Sequence, residues 1–169
     1  LVRVIQVREN DDVILVSSAG QAIRFAGNQV RPMGRSAAGV RGMKLRGDDV
    51  VVAAAATSEN DQRYLLTVTE GGYGKRTPIE AYPRKGRGTM GVKGIKLTEA
   101  RGAAVIGARM VELDDEVIMV SSGGVLIRTA VSEIAEQRRA ATGVKVMNVG
   151  EEETVAALSP VTLLSLIHI

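Results

Sequence analysis

The chain repeats itself every 52 residues. With Val13, Leu65 and Val117 in register, the segments beginning "VILVSSAGQAIRF", "LLTVTEGGYGKRT" and "VIMVSSGGVLIRT" align over 33 positions without a gap. Gly20, Gly72 and Gly124 share one phase of the repeat, as do Arg24, Arg76 and Arg128. Arg35, Arg87 and Arg139 share another, and Gly39, Gly91 and Gly143 a fourth, each of these glycines followed by valine. A fixed period of this length means that one supersecondary unit is copied, so the fold follows from what one unit forms and how the copies stack.

Within a unit, a β-branched run, a glycine turn and a second run predict a hairpin. A loop of about a dozen residues leads to a third run, "GVRGMKL", "GVKGIKL" or "GVKVMNV", and a fourth follows at "VVVAAAA", "AAVIGARMV" or "TVAALSPV". Apolar residues make up 45% of the chain, yet there is one Phe, three Tyr and no Trp, so the core has to be aliphatic. Four strands per unit, with no amphipathic helical window of useful length, predict an all-β, propeller-like array of three blades, each of four antiparallel strands. Propellers close with about 4 to 8 blades, so three give a partial ring. The expected boundaries are residues 1–12 for the end of a preceding blade, then 13–63, 64–115 and 116–161 for three blades. Residues 162–169, "TLLSLIHI", have no counterpart in the other units and are expected to be foreign to the fold.

Several functions are excluded by composition. There is no Cys and a single His, so disulfide frameworks, cysteine metal sites and most histidine chemistry fall away, and an intracellular location is expected. No apolar run reaches the length of a membrane span, and the first 20 residues lack a signal-peptide core. No P-loop, nucleophile elbow or zinc pattern is present. The acidic group Asp114, Asp115 and Glu116 reads as a solvated turn, because it lacks an ordered ligand spacing. No catalytic residue and no metal ligand is expected.

The net charge of +3 is small, but its distribution is not uniform. Arg31 to Arg46 holds five basic residues and no acid, Lys75 to Lys96 seven against Glu80, and Arg128 to Lys145 four against Glu133 and Glu136. The acids gather at the junctions between units. Equal phases of a radial array share one side, so these loops are expected to form a basic stripe on a rim, the footprint of a phosphate backbone. Aromatic residues for stacking single-stranded bases are scarce and no recognition helix is visible, so the expected ligand is duplex DNA held by its phosphates with little sequence preference. The candidates are Arg35, Arg41, Lys44, Lys75, Arg76, Lys85, Arg87, Lys93, Lys96, Arg138, Arg139 and Lys145. Arg24, Arg76 and Arg128 interrupt apolar strands, where a strut between blades competes with a phosphate contact. A scaffold for an acidic protein would use the same stripe.

The repeated "GV(R/K)G(M/I)KL" strand, "YLLTVTEGGYGKRTPIEAYP" and "VIMVSSGGVLIRTAVSEI" resemble the C-terminal domain of DNA gyrase A over residues 1 to about 161. The resemblance implies a β-pinwheel of six blades that exchange strands, of which these are the last three. It also implies a non-catalytic, DNA-wrapping part of an ATP- and Mg-dependent type II topoisomerase that supports negative supercoiling. The implied partners are duplex DNA, gyrase B and a second copy of gyrase A, in the bacterial cytoplasm at the nucleoid. That family's "QRRGGKG" box is absent; its nearest relative is "QRRAATG" at Gln137 to Gly143. The paralogous topoisomerase IV protein carries related blades and is the alternative within the resemblance.

Overall fold

The computed structural model describes residues 1–161. Each unit opens with the expected hairpin: β1 (Asp12–Ser17) with β2 (Gln21–Ala26), β4 (Tyr64–Thr69) with β5 (Tyr73–Pro78), and β8 (Glu116–Ser121) with β9 (Leu126–Ala130). Gly20, Gly72 and Gly124 turn the chain at φ of +87°, +84° and +86°, a conformation that a side chain would strain. One position before each turn lies a buried hydroxyl, on Ser17, Thr69 or Ser121. It accepts the backbone N–H four residues on, from Gln21 at 3.2 Å, Tyr73 at 3.3 Å or Val125 at 3.1 Å.

The fourth run of each unit returns beside the first strand of its hairpin. β3 (Val51–Thr57) pairs with β1, β7 (Val105–Val111) with β4, and β11 (Val155–Val161) with β8, all antiparallel. The third run behaves differently. Only Val92–Lys93 (β6) and Val144–Lys145 (β10) are strand, and each joins the sheet of the preceding unit: β6 pairs with β2 (Gln21↔Lys93, Ala22↔Val92) and β10 with β5 (Tyr73↔Lys145, Gly74↔Val144). The sheets therefore run β3-β1-β2-β6, β10-β5-β4-β7 and β11-β8-β9. Neighbouring units exchange strands, as the resemblance implies: the fourth strand of each complete four-stranded sheet comes from the next unit. Alternation marks a run as strand but carries no information about its partner.

Period-two side chains send alternate residues to opposite faces of each sheet, and the two larger cores lie between sheets. Ile14, Val16 and Ala22 of the first sheet meet Leu65, Ile79, Tyr82 and Ile95 of the second unit. Leu66 and Val68 meet Val117, Met119, Val131, Ile134 and Met147 of the third. A smaller cluster, Ile23, Phe25 and Met43, closes the outer face of the first sheet. No α-helix occurs among the described residues, and none is long and apolar enough to cross a membrane. The segment 162–169 lies outside the described residues.

Candidate nucleic-acid interface

Because the second and third basic loops each precede a strand given to the previous sheet, they must cross the joint between two units. The second loop does so over the first sheet, where Lys85 N–H donates to Arg24 O at 2.7 Å; in the third, Gln137 N–H donates to Arg76 O at 3.0 Å, the same bond one period on. Neighbouring loops are then tied to one another by bonds that also recur with the period. Lys44 N–H donates to Thr89 O at 2.9 Å, and Lys96 N–H to Ala141 O at 3.1 Å. The Arg87 guanidinium donates to Arg41 O at 2.6 Å, and that of Arg139 to Lys93 O at 2.8 Å. Three loops distant in sequence thus form one continuous edge, in the order 31–46, 83–96, 135–148.

Eight of the twelve candidates lie exposed along this edge: Arg35, Arg41, Lys44, Lys85, Lys93, Lys96, Arg138 and Lys145. None of these eight comes within 4.0 Å of a carboxylate among the described residues. Cations left in solvent without an internal counter-ion keep their full attraction for an external polyanion.

The other four serve the framework. Lys75 has no exposed surface; its ammonium donates to Arg138 O at 2.6 Å and also to Arg139 O. It cannot reach a phosphate, so its assignment as a contact is corrected to a pin beneath the third loop. Burial, and then the nearby Arg139 charge, lower its pKa to about 8. Ile23 and Ile127 occupy its phase in the other units, so neither sequence neighbour reveals the role. Arg76 lies over the Tyr64 ring at 4.6 Å, donates to Ile134 O at 2.8 Å and pairs with Glu136 at 3.5 Å. That is the strut geometry, the alternative the sequence left open for Arg76. Arg87 and Arg139 stay half-buried as the ties described above, with Arg87 Nε buried and unbonded among the described residues. Arg24 is a strut as well, donating to Asp12 at 2.8 Å and to Ile79 O at 3.1 Å, whereas Arg128 pairs with Glu116 within its own hairpin.

Sequence reasoning missed Asp12. Its carboxylate is 2% exposed and takes both Arg24 and Arg84, the latter at 2.7 Å, which clamps the second loop to the first sheet. The signal was an acidic residue at the strand start, in phase with Tyr64 and Glu116. Gln137 also proves structural: its side-chain oxygen accepts Gly143 N–H at 2.8 Å, closing the "QRRAATG" loop on itself.

Glu112, Asp114 and Asp115 lie within 4.8 Å of one another in an exposed turn where Asp115 accepts Glu112 N–H, the arrangement of a turn cap. The groove where β3, β7 and β11 converge has a floor of Ala54, Ala55, Ala56 and Ala108 and a polar rim that includes Arg3, Arg8, Asp11, Ser58, Arg63 and Arg109.

Comparison with known proteins agrees with this architecture. The family model described as "DNA gyrase C-terminal domain, beta-propeller" matches residues 2–58, 63–112 and 115–162. DNA gyrase A of Kosmotoga olearia is 43% identical over 157 residues, covering 93% of this chain and 19% of that protein. The corresponding protein of Salmonella typhimurium is 45% identical over 152 residues, covering 90% and 17%. The chain thus spans about a fifth of the length of the curated relatives it matches. A solved DNA gyrase A C-terminal domain superposes with a TM-score of 0.82 at 29% identity, covering 94% of this chain and 57% of that one. The C-terminal domain of DNA topoisomerase IV superposes at 0.85 with 21% identity, covering 95% and 52%, a likeness of fold. Three gap-free repeats, sheets completed by the following unit and a family match in three segments, one per repeat, converge: this chain belongs to the DNA gyrase C-terminal domain family.

Proposed function

We propose that the linked loops bind duplex DNA through its phosphates and bend it along the rim, as a non-catalytic part of a type II topoisomerase. The observation that carries this reading is the tied edge of eight exposed cations without internal counter-ions among the described residues. Backbone ties fix the loops relative to one another, so the charges present a set contour rather than independent mobile arms. A duplex lying across several loops follows that contour. Bending about 20 to 30 base pairs by 40 to 90° costs on the order of 1 to 6 kcal/mol, which several phosphate contacts offset. The role in negative supercoiling, the pairing with gyrase B and a second gyrase A, and the use of ATP and Mg by the parent enzyme extend this reading through the family. Identity of 43–45% to gyrase A favours gyrase over topoisomerase IV.

The test is a gel shift with duplex of about 40 base pairs at low salt, with polyglutamate as competitor. DNA binding that falls steeply with salt, at about 0.9 in the log–log slope per phosphate neutralised, is the expected result. Absence of a shift, or displacement by polyglutamate at equal charge, overturns it in favour of an acidic protein partner. Bending is read separately by ligating nicked circles in the presence of the chain. Lys93→Glu with Lys96→Glu is expected to abolish the change in linking number; Arg87 is unsuitable because it ties the second loop to the first.

A further inference from the structure

Three successive peptide groups of the third loop face the same way. Lys75, which has no exposed surface, donates its ammonium to Arg138 O at 2.6 Å and to Arg139 O, and the buried Thr77 hydroxyl donates to Gln137 O at 2.9 Å. In a trans peptide the N–H points opposite to the C=O of the preceding residue. Carbonyls 137, 138 and 139 are drawn down onto β5, so the N–H groups of Arg138, Arg139 and Ala140 point away from it. None of these three has an acceptor among the described residues, whereas the next, Ala141 N–H, turns back to Arg138 O at 3.1 Å. Arg138 and Ala140 are exposed.

The second loop fills the same positions from within. There Arg87 N–H and Gly88 N–H, the equivalents of Arg139 and Ala140, donate to the Gln29 side-chain oxygen at 2.8 Å and to Gly42 O at 2.8 Å. One period on, Ala81 stands where Gln29 does and brings no side-chain oxygen, and Gly94 O takes no bond from Ala140. Beneath the loop, Lys75 stands where the first sheet has Ile23. Both loops have the preceding unit beside them, so the difference lies in the side chains. The third loop combines a cation below with open amides above, and the second has neither.

We propose that the N–H groups of Arg138, Arg139 and Ala140, together with the Arg138 guanidinium, seat one phosphate group, and that Lys75 is the positioning residue that turns these peptides outward. Main-chain N–H groups at successive residues make concave anion sites. The Arg138 guanidinium stands beside them with no carboxylate within 4.0 Å among the described residues, because Glu136, the nearest acid in sequence, is paired with Arg76 at 3.5 Å. Solvent screens a buried charge far less than an exposed one, so the ammonium beneath the loop also attracts the anion. Fixed amides hold a phosphate at one point of the contour and so give a duplex its register on the rim without reading its bases. The ligand chemistry is that of a phosphodiester or of inorganic phosphate. Only the choice of duplex DNA as its source rests on the function proposed above.

Amide NMR of the isotope-labelled 169-residue chain tests the seat. It is titrated with inorganic phosphate, with a duplex of about 12 base pairs, and with the same duplex carrying uncharged methylphosphonates. The N–H signals of Arg138, Arg139 and Ala140 are expected to move downfield with phosphate and with the charged duplex, and to stay with the uncharged one. Arg138→Gln should weaken phosphate binding on the order of 10-fold yet keep the three shifts, because the backbone donors remain. Lys75→Met should abolish them with the β4 and β7 signals in place. The chain has no cysteine, so Lys75→Cys, alkylated with bromoethylamine while unfolded and then refolded, returns an amine to that position alone and should restore the shifts. Shifts that persist in Lys75→Met, or that the alkylated variant fails to regain, overturn the role of Lys75. If Lys75→Met does not fold, the alkylated chain and Arg138→Gln decide. Shifts with phosphate but not with duplex overturn DNA as the occupant. A duplex that moves signals of the other loops and leaves 138–140 unmoved overturns the seat while the DNA reading stands, and a duplex that moves none overturns that reading.

Discussion

At the level of single residues, buried polar groups decide how firmly the units hold. Tyr82 is 2% exposed at the centre of the first inter-sheet core, and its hydroxyl has no hydrogen-bond partner among the described residues. Burial pushes its pKa up to about 12, and the neighbouring Thr77 and Thr67 hydroxyls, which do not meet hydrogen-bond geometry, draw it back only in part. Removing an unsatisfied buried hydroxyl relieves a desolvation cost, so Tyr82→Phe is expected to stabilise the chain by about 1 kcal/mol in urea unfolding. A loss of that size would reveal a bond to the hydroxyl. Lys75 presents the opposite case, a buried cation with two carbonyl acceptors and a pKa lowered to about 8 from 10.5. Between these values the unfolded chain binds more protons than the folded one, so stability from this group rises with pH from about 8 to 10.5 and is lost as pH falls through 8. The difference between wild type and Lys75→Met should therefore change by about 3 kcal/mol across that window. Parallel curves would show that the ammonium is not desolvated. Asp61 acts at the other end of the scale: burial opposes its charge, but bonds from Arg63 and Thr57 outweigh it and hold its pKa below the usual carboxylate range. Its contribution is present above the ordinary carboxylate pKa and is lost on acidification below it.

At the level of elements, the two-residue strands β6 and β10 matter more than their length implies, because each carries its whole loop onto the neighbouring sheet. The close approach of Gly91 to Ala22 O makes this joint intolerant of any side chain. Gly91→Ala is expected to cost at least twice as much as Gly47→Ala, where φ is +54° but the space is open. The latter should lose about 1 kcal/mol from backbone conformation alone. Equal losses in thermal unfolding would mean that the strand is not seated as described. The hairpins and their turns were legible because β-branched runs bracketing a phase-locked glycine admit one local solution. The exchange of strands was implied by the family resemblance alone and not by the runs themselves, since the partner of "GVKG" is set by tertiary packing and by glycines whose close contacts the chain does not spell out. The same limit explains Lys75 and Arg76. Their charge was visible, but whether a cation in a strand faces solvent or a neighbour's carbonyls depends on which loop arrives above it. The exposed loop cations were readable from composition because nothing in the fold competes for them.

At the level of the whole molecule, periodic ties convert three weakly basic loops into one extended charged edge. If the edge acts as a unit, cations on different loops contribute independently, because their sites are separated and share no partner. Lys44→Gln, Lys96→Gln and Arg138→Gln, one per loop, are each expected to lower the log–log salt slope of duplex binding by about 1 while leaving base preference unchanged. The triple variant should lower the slope by the sum of the three effects. Lengthening the duplex from about 10 to 40 base pairs should raise the wild-type slope, since only the longer piece reaches successive loops, and should do so less in the triple variant. Fluorescence anisotropy over a salt series measures all of these quantities. A slope that stays fixed when a whole loop is neutralised, or one that does not depend on duplex length, would mean that DNA meets one loop alone and that the tied edge has no part in holding it.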